Sequence, residues 1–499
     1  MELQFNKSVI PCLRTVSREL QTQELTQEVR LTDGMPDIGR VLASWGQVLI
    51  RGKDWRGSGA GVSGGVMVWV LYEPEEEGEP QVVETWLPFQ MKWDFPETER
   101  DGTIRILPIL RGVDARSLSA RKLMARAGVS MQGLFMVPSD AELYMPTELP
   151  EDVRVLKNAY PVQLPKEAGE KAFNIEETLP LPASVQAVGK LLRYTLRPEL
   201  MESKVVSDKL VMRGAAVLEL LYLGTDGQLH TWEFEIPFSQ YTQLDKEYGT
   251  DAVAQIDFAV TALELEQAEE ENLNLKAGLT GQYVIYERPV IEIIQDAYSP
   301  IRTVRPQMLQ LQLPAVLDSR TETVHASQSV QSDGIRMADV AFYPEPAQLR
   351  REGDQTVAEL SGNFQMLYYD DQGQLHGGVA RWEDTRDVPA DRNTGLELTV
   401  QPSGKNQGTM GGGTADLHGD LQLQLQSTGD AGIPMVTGLE LSEPIPLDPS
   451  RPSLILRRAG GDSLWELAKH TGSTVETIMQ ANGLQQEPDS DRLLLIPIS

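Results

Sequence analysis

The ten residues Leu221–His230, LYLGTDGQLH, return as LYYDDQGQLH at Leu367–His376, with six positions unchanged. The likeness extends upstream: Pro198 and Pro344 each stand 24 residues before the shared tyrosines Tyr222 and Tyr368. A weaker third copy lies at Gly64–Phe89, where Gly64 precedes Tyr72 by eight residues as Gly214 precedes Tyr222. There Thr85–Trp86 and Pro88–Phe89 match Thr231–Trp232 and Pro237–Phe238, a Pro–Phe pair that the copy around Tyr368 lacks. A period of about 150 residues suits a domain rather than a solenoid unit. One domain written three times is the reading that follows.

Each copy reads as strand. VMVWVLY, AVLELLY and NFQMLYY are short β-rich runs followed by turn clusters rich in Gly and Asp. Ile256–Tyr286 reads as a long hairpin with an acidic tip at Glu269–Glu271, and its alternation changes phase at Leu263, which predicts a bulge. PDIGRVL from Pro36 is expected to make a short helical turn. Gln401–Asp420 is Gly-rich without apolar period and is expected to be a long flexible loop. Isolated hairpins are marginal, so each copy is expected to close into a small sandwich or barrel-like β domain. The expected boundaries are 1–160, 161–310 and 311–441, strung one after another, then a Pro-rich linker at 442–452 and a last domain at 453–499.

That last segment changes pattern. LILRR and RLLLIP read as strands flanking two helices. Ser463 with Glu466 and Ser473 with Glu476 have capping-box spacing, and Gly472 and Asn482–Gly483 supply residues suited to left-handed helix ends.

Composition narrows the function. A formal charge of −29 disfavours nucleic acid and anionic membrane. Cys12 is the single cysteine, so neither a disulfide framework nor a cysteine metal site is expected. No apolar run approaches a membrane span, and the first residues carry no secretory pattern. Of five histidines, His230 and His376 are repeat equivalents beside turns, and the others are scattered; no triad order, zinc spacing or cofactor fingerprint emerges. Acidic runs such as Glu75–Glu77 read as solvated loop tips, unsuited to carboxylates that need shielding for catalysis. No enzyme, no cofactor and no metal is expected.

Gly461-Asp462-Ser463-Leu464-Trp465, Leu467-Ala468, Ala481-Asn482-Gly483-Leu484 and Leu495-Ile496-Pro497 closely resemble a LysM domain. Two features depart from that pattern: RRAG in place of Val-x-x-Gly, and the absence of a Gly before the last strand. The resemblance implies a groove for N-acetylglucosamine chains formed by Gly461, Asp462, Ser463 and Leu464 with Asn482, Gly483 and Leu484, and a choice for Trp465 between sugar platform and packing. Asp462, Ser463, Asn482 and Gly483 are equally what the fold needs to cap and turn its helices.

Three β-rich copies ending at Tyr72, Tyr222 and Tyr368, the PDI at Pro36–Ile38 and a terminal LysM together resemble clostridial spore-coat morphogenetic proteins built from SPOCS domains. That resemblance implies a non-enzymatic scaffold of mother-cell origin. It would sit on the forespore surface in the spore coat and dock through its LysM to an ATPase-type protein of the coat basement layer, with self-association open. The alternative is a cell-wall protein binding peptidoglycan.

Overall fold

The structure, a computed structural model, describes the chain apart from residues 99–100, 183, 269–271, 313, 353–354, 389–394, 429–431, 447–451, 489–491 and 499. Among the described residues the regular elements are strands apart from two short helices near the C-terminus, and no sheet closes into a barrel.

The strand β1 (Glu2–Gln4) precedes a six-strand module: β2 (Asn6–Arg30), β3 (Ile38–Arg56), β4 (Gly59–Pro74), β5 (Gln81–Asp94), β6 (Thr103–Ser119) and β7 (Lys122–Met145). The meander β3-β4-β5 forms one sheet, and the hairpin β6–β7 folds back so that β7 pairs with β2 in a second, ordered β2-β7-β6. After β8 (Arg154–Pro161) the path repeats. Module 2 has β9 (Leu164–Pro180), β10 (Val188–Gly224), β11 (Leu229–Tyr248), β12 (Val253–Gln267) and β13 (Asn272–Glu287), with β13 between β12 and β9.

Past β14 (Val290–Tyr298) and β15 (Val304–Leu311), module 3 has β16 (Val316–Gln331), β17 (Arg336–Pro344), β18 (Gln348–Glu352), β19 (Gln355–Tyr369), β20 (Leu375–Val388), β21 (Gly395–Gly411) and β22 (Thr414–Thr428). Its sheets are β16-β22-β21 and β17-β19-β20, with β18 also on β19. The chain ends with β23 (Ile433–Leu441), β24 (Leu454–Arg458), α1 (Leu464–Thr471), α2 (Val475–Asn482) and β25 (Leu493–Pro497).

The repeated residues hold equivalent places. Tyr72 and Tyr222 are buried and donate to the carbonyls of Pro36 and Gln186, both at 2.9 Å and both 36 residues upstream. Gly64 and Gly214 allow a close strand approach, since a Cβ there would collide with the carbonyl oxygens of Leu49 and Glu199. Each module also has its own core, around Trp93 and Phe135, around Phe173 and Tyr222, and around Phe364 and Trp382.

The three modules also pack against one another. A further apolar cluster draws on all three modules, joining Trp45, Trp69 and Leu71 to Leu192, Leu221 and Leu223 and to Ala341, Tyr343 and Leu367. Two polar nodes also join all three. Arg193 donates to Asp339 at 2.7 and 3.0 Å and lies over the Trp45 ring at 5.2 Å. Arg105 Nε donates to Asp257 Oδ2 at 2.6 Å, and Gln401 Nε2 donates to Asp257 Oδ1 at 3.0 Å.

The connecting segments add a collar, in which β8 pairs with β14, and β23 pairs with both β15 and β1. Its apolar clusters bury Cys12, Ile291, Ile293 and Met435, and Phe5, Ile294 and Leu439. Burial pushes the Cys12 thiol up, against the pull of Lys166.

Within the collar Arg302 donates to both oxygens of Asp152 at 2.7 Å, and Ser299 donates at 2.6 Å. Burial raises the Asp152 carboxyl, but these hydrogen bonds outweigh it and hold the group below its ordinary value. A depressed carboxyl stabilises the fold above the unfolded pKa of about 3.9, and that contribution is lost as pH falls through the folded value. Wild type is therefore expected to lose more stability than Asp152→Asn between about pH 5 and about pH 2, measured by thermal unfolding.

Other local expectations also change. Gln401–Asp420 is no loop but the paired strands β21 and β22, turning at Gly412–Gly413 with φ of +63° and +83°. Pro36 leads from a turn directly into β3 rather than into a helical turn. The phase change near Leu263 is a bulge between Val260 and Ala262. The expected acidic tip at Glu269–Glu271 lies outside the described residues, as do residues 447–451 of the linker.

Candidate functional site

The C-terminal domain is a two-stranded antiparallel sheet, β24–β25, with α1 and α2 packed on one face. Ser463 caps α1 reciprocally with Glu466, and Gly472 ends it at φ +67°. The second cap differs from expectation. Thr474, not Ser473, accepts from the Thr477 amide at 3.1 Å, while Ser473 is buried and donates its hydroxyl to the Pro497 carbonyl.

The eight predicted groove residues divide by duty. Asn482 spends its whole amide on the fold, donating to Ile478 and Leu495 carbonyls at 2.8 and 2.6 Å and accepting from the Leu495 amide at 2.8 Å. Gly483 ends α2 at φ +63°, and Leu484 packs on the small core. Asp462 pairs with Arg457 at 3.0 Å. Leu464 is buried, and its amide donates to both Glu487 carboxylate oxygens at 3.2 and 3.0 Å. Glu487 thus spans the two loops and sits on the positive end of α1. Gly461 is exposed at φ +87°, with open space where a Cβ would stand.

Trp465 points elsewhere. Its indole Nε1 donates to Asp296 Oδ2 at 2.8 Å, and Lys469 reaches both oxygens of the same carboxylate at 2.8 and 2.7 Å. Tyr298 stands edge-on to the indole at 4.7 Å and donates to the Ser473 carbonyl at 3.1 Å. Burial pushes the Tyr298 phenol up to about 12. Asp296 and Tyr298 belong to β14, so Trp465 fastens the domain to the collar.

The opposite face of the sheet is bare. Leu456 lies directly across from Leu495, flanked by Leu454 and Leu493, with exposures between 40% and 62%. These alternate with Ile455, Leu494 and Ile496, which face the core. Four leucines on one small exposed face form an apolar patch of the kind that marks an interaction site.

A family model described as "SipL, SPOCS domain" matches residues 187–267, and a LysM domain model matches 460–488. The chain carries a SPOCS domain and a LysM domain. No curated protein and no solved structure matches it. The SPOCS match spans β10, β11 and β12 of module 2, and modules 1 and 3 follow the same strand path. Together the two domains fit a sporulation-related protein whose LysM is of a class that binds N-acetylglucosamine polymers such as peptidoglycan.

The two repeat-equivalent histidines serve their turns. His230 Nε2 lies 3.0 Å from Asp226 and stacks on Tyr222, and His376 Nε2 lies 2.8 Å from Asp370 and stacks on Tyr368. Hydrogen bonds hold both aspartates below their ordinary pKa: Asp226 chiefly from the Gln228 amide, Asp370 chiefly from His376. Glu75–Glu77 are exposed at a loop tip. Ser327 and His418 come within 3.0 Å, but on an exposed sheet face that would not shield a reaction from water. No helix is long and apolar enough to cross a membrane, and among the described residues no three His, Cys, Asp or Glu side chains are grouped to hold a metal.

Sequence reasoning missed Asp296, Tyr298 and Glu487. The first two meet Trp465 and Ser473 from 169 and 175 residues away, a separation that leaves no spacing signal.

Proposed function

We propose that this chain is a non-enzymatic scaffold of endospore coat assembly. It would be retained in the mother-cell cytoplasm at the forespore surface and dock through its LysM to an ATPase-type protein of the coat basement layer. The observation that carries this reading is the division of the LysM surface. One face is fixed to the collar by Trp465 and Lys469, the two loops are bridged by Glu487, and the leucine face is left open. A protein partner fits that open face, because four exposed leucines bury well against another apolar surface and offer little to a hydroxylated sugar.

Arg458, which alternates onto the same face as Leu454 and Leu456, suits a partner surface with a carboxylate beside an apolar centre. Three modules locked into one body hold that face in a fixed place, the role of a platform rather than of a catalyst.

The second reading is peptidoglycan binding, favoured by the LysM match itself. Sedimentation with purified peptidoglycan separates the two. The full chain is expected to remain in the supernatant, while Glu487→Ala, which frees the Leu464 amide, is expected to bind about tenfold more. Strong sedimentation of wild type that Glu487→Ala leaves unchanged would favour the glycan reading.

A further inference from the structure

The two edges of the LysM sheet are finished differently. β25 is closed by side chains of its own domain: Asn482 engages both the amide and the carbonyl of Leu495, and the Ser473 hydroxyl donates to the Pro497 carbonyl. β24 has no such cover. In an antiparallel pair, directly opposed residues alternate between exchanging two backbone hydrogen bonds and exchanging none. The Ile498 amide donates to the Ser453 carbonyl and the Ala459 amide to the Arg492 carbonyl, both at 3.0 Å. The exchanging pairs therefore continue through Ile455–Ile496 and Arg457–Leu494. Leu454, Leu456 and Arg458 turn their N–H and C=O groups away from β25.

Among the described residues nothing hydrogen-bonds to those outward groups. The strand is exposed at every position except Ile455, which is half-buried. Natural edge strands often carry a proline or a bulge that prevents pairing, and Leu454–Arg458 has neither. Leu454 and Leu456, 51% and 62% exposed, share one side of the strand with Arg458. Arg457, on the other side, is paired with Asp462, whereas Arg458 has no acidic partner among the described residues.

We propose that β24 takes up an extended segment of a partner protein as a third, antiparallel strand, an inference that rests on reading this face as a protein dock. Main-chain groups of the segment pair with Leu454, Leu456 and Arg458, and its alternate side chains set its identity. The residues opposite Leu454 and Leu456 are apolar and extend the leucine face. The residue opposite Arg458 is acidic, which gives the segment the order acid-x-apolar-x-apolar. A second copy of this chain does not fit. Pairing β24 with itself about Leu456 sets each Arg458 against a Leu454 instead of a carboxylate, and brings together two chains of formal charge −29.

The test is an amide-resolved NMR titration of the full, isotope-labelled chain. The probe is acetyl-Glu-Thr-Val-Thr-Val-amide at millimolar concentration, beside the same peptide N-methylated once, at the central valine or at the second threonine. In the added strand the central valine directs its N–H to the Leu456 carbonyl, and the second threonine directs its N–H to solvent. The parent peptide is expected to shift the Leu454, Leu456 and Arg458 amides. Methylation at the valine is expected to weaken binding about tenfold or more, and methylation at the threonine by less than about twofold. Lysine in place of the glutamate is expected to weaken it about threefold. Leu456→Pro removes the open-edge donor while keeping the pairing with β25, and is expected to weaken binding about tenfold; Leu456→Val is expected to bind as wild type does.

The methylated peptides decide the matter if Leu456→Pro does not fold. No shift at β24 in wild type overturns the proposal. Equal binding of the two methylated peptides also overturns strand pairing, while leaving the leucine face a dock for side chains. Dimerisation of the free chain that Leu456→Pro abolishes would make a second copy the occupant and overturn it too. Tetra-N-acetylchitotetraose shifting the same three amides would overturn the protein-dock reading itself.

Discussion

Arg193→Ala lowers the stability of the three-module body by about 3–5 kcal/mol, and Asp339→Ala does the same. The two residues occupy equivalent positions in modules 2 and 3, the same distance before Tyr222 and Tyr368, and module 1 has Ala43 there. A true threefold arrangement would bring three identical side chains together at this point. The chain writes Ala, Arg and Asp instead, and charge pairing then distinguishes one neighbour from the next. Both ion-pair members are buried, with side-chain exposures of 6% and 5%.

Burial pushes the Asp339 carboxyl up, against the pull of Arg193, so the pair is held by its mutual contact rather than by solvent. Removing either member leaves a buried charge without its oppositely charged hydrogen-bond partner. Replacing both with leucine is expected to recover most of the loss, because well-packed apolar pairs often match buried ion pairs in stability. Urea denaturation of the four proteins checks this. Single variants within about 0.5 kcal/mol of wild type would show that the node contributes nothing.

Asp296→Ala is expected to release the LysM domain from the collar while leaving each part folded. It removes the acceptor for both the Trp465 indole and the Lys469 ammonium. A hydrogen bond to a charged group is worth about 1.5–3 kcal/mol, a shift of roughly ten- to a hundredfold in the docked fraction. Small-angle scattering should then show a larger radius of gyration, and heating should show the LysM transition separating from that of the body. An unchanged scattering profile would mean that Tyr298 and its bond to the Ser473 carbonyl hold the domain without Asp296.

Much of this architecture is legible in the sequence, because repetition and capping are local. Tyr72, Tyr222 and Tyr368 mark three copies of one strand path, and Gly64 and Gly214 are glycines for the same close approach. Ser463, Glu466 and Gly472 announce α1 within ten residues. What escaped was everything set by partners far along the chain. Gln401–Asp420 has the composition of a loop, yet β16 offers β22 an edge to pair with and the segment becomes a hairpin. Ser473 carries the spacing of a cap, but its hydroxyl is drawn to Pro497 and Thr474 takes its place.

Of the groove residues inferred from the LysM pattern, Asn482, Leu464 and Trp465 are engaged by Leu495, Glu487 and Asp296. Spacing along a chain cannot reveal contacts made across it.

Imaging fluorescent fusions during sporulation tests the scaffold account most directly. The wild-type fusion is predicted to form a shell around the forespore. Leu456→Arg with Leu495→Arg, which charges the open face without touching the LysM core, is predicted to leave the protein diffuse in the mother cell with an unchanged melting profile. A double variant that still forms the shell, or a wild-type protein found on the outer cell wall, would contradict it.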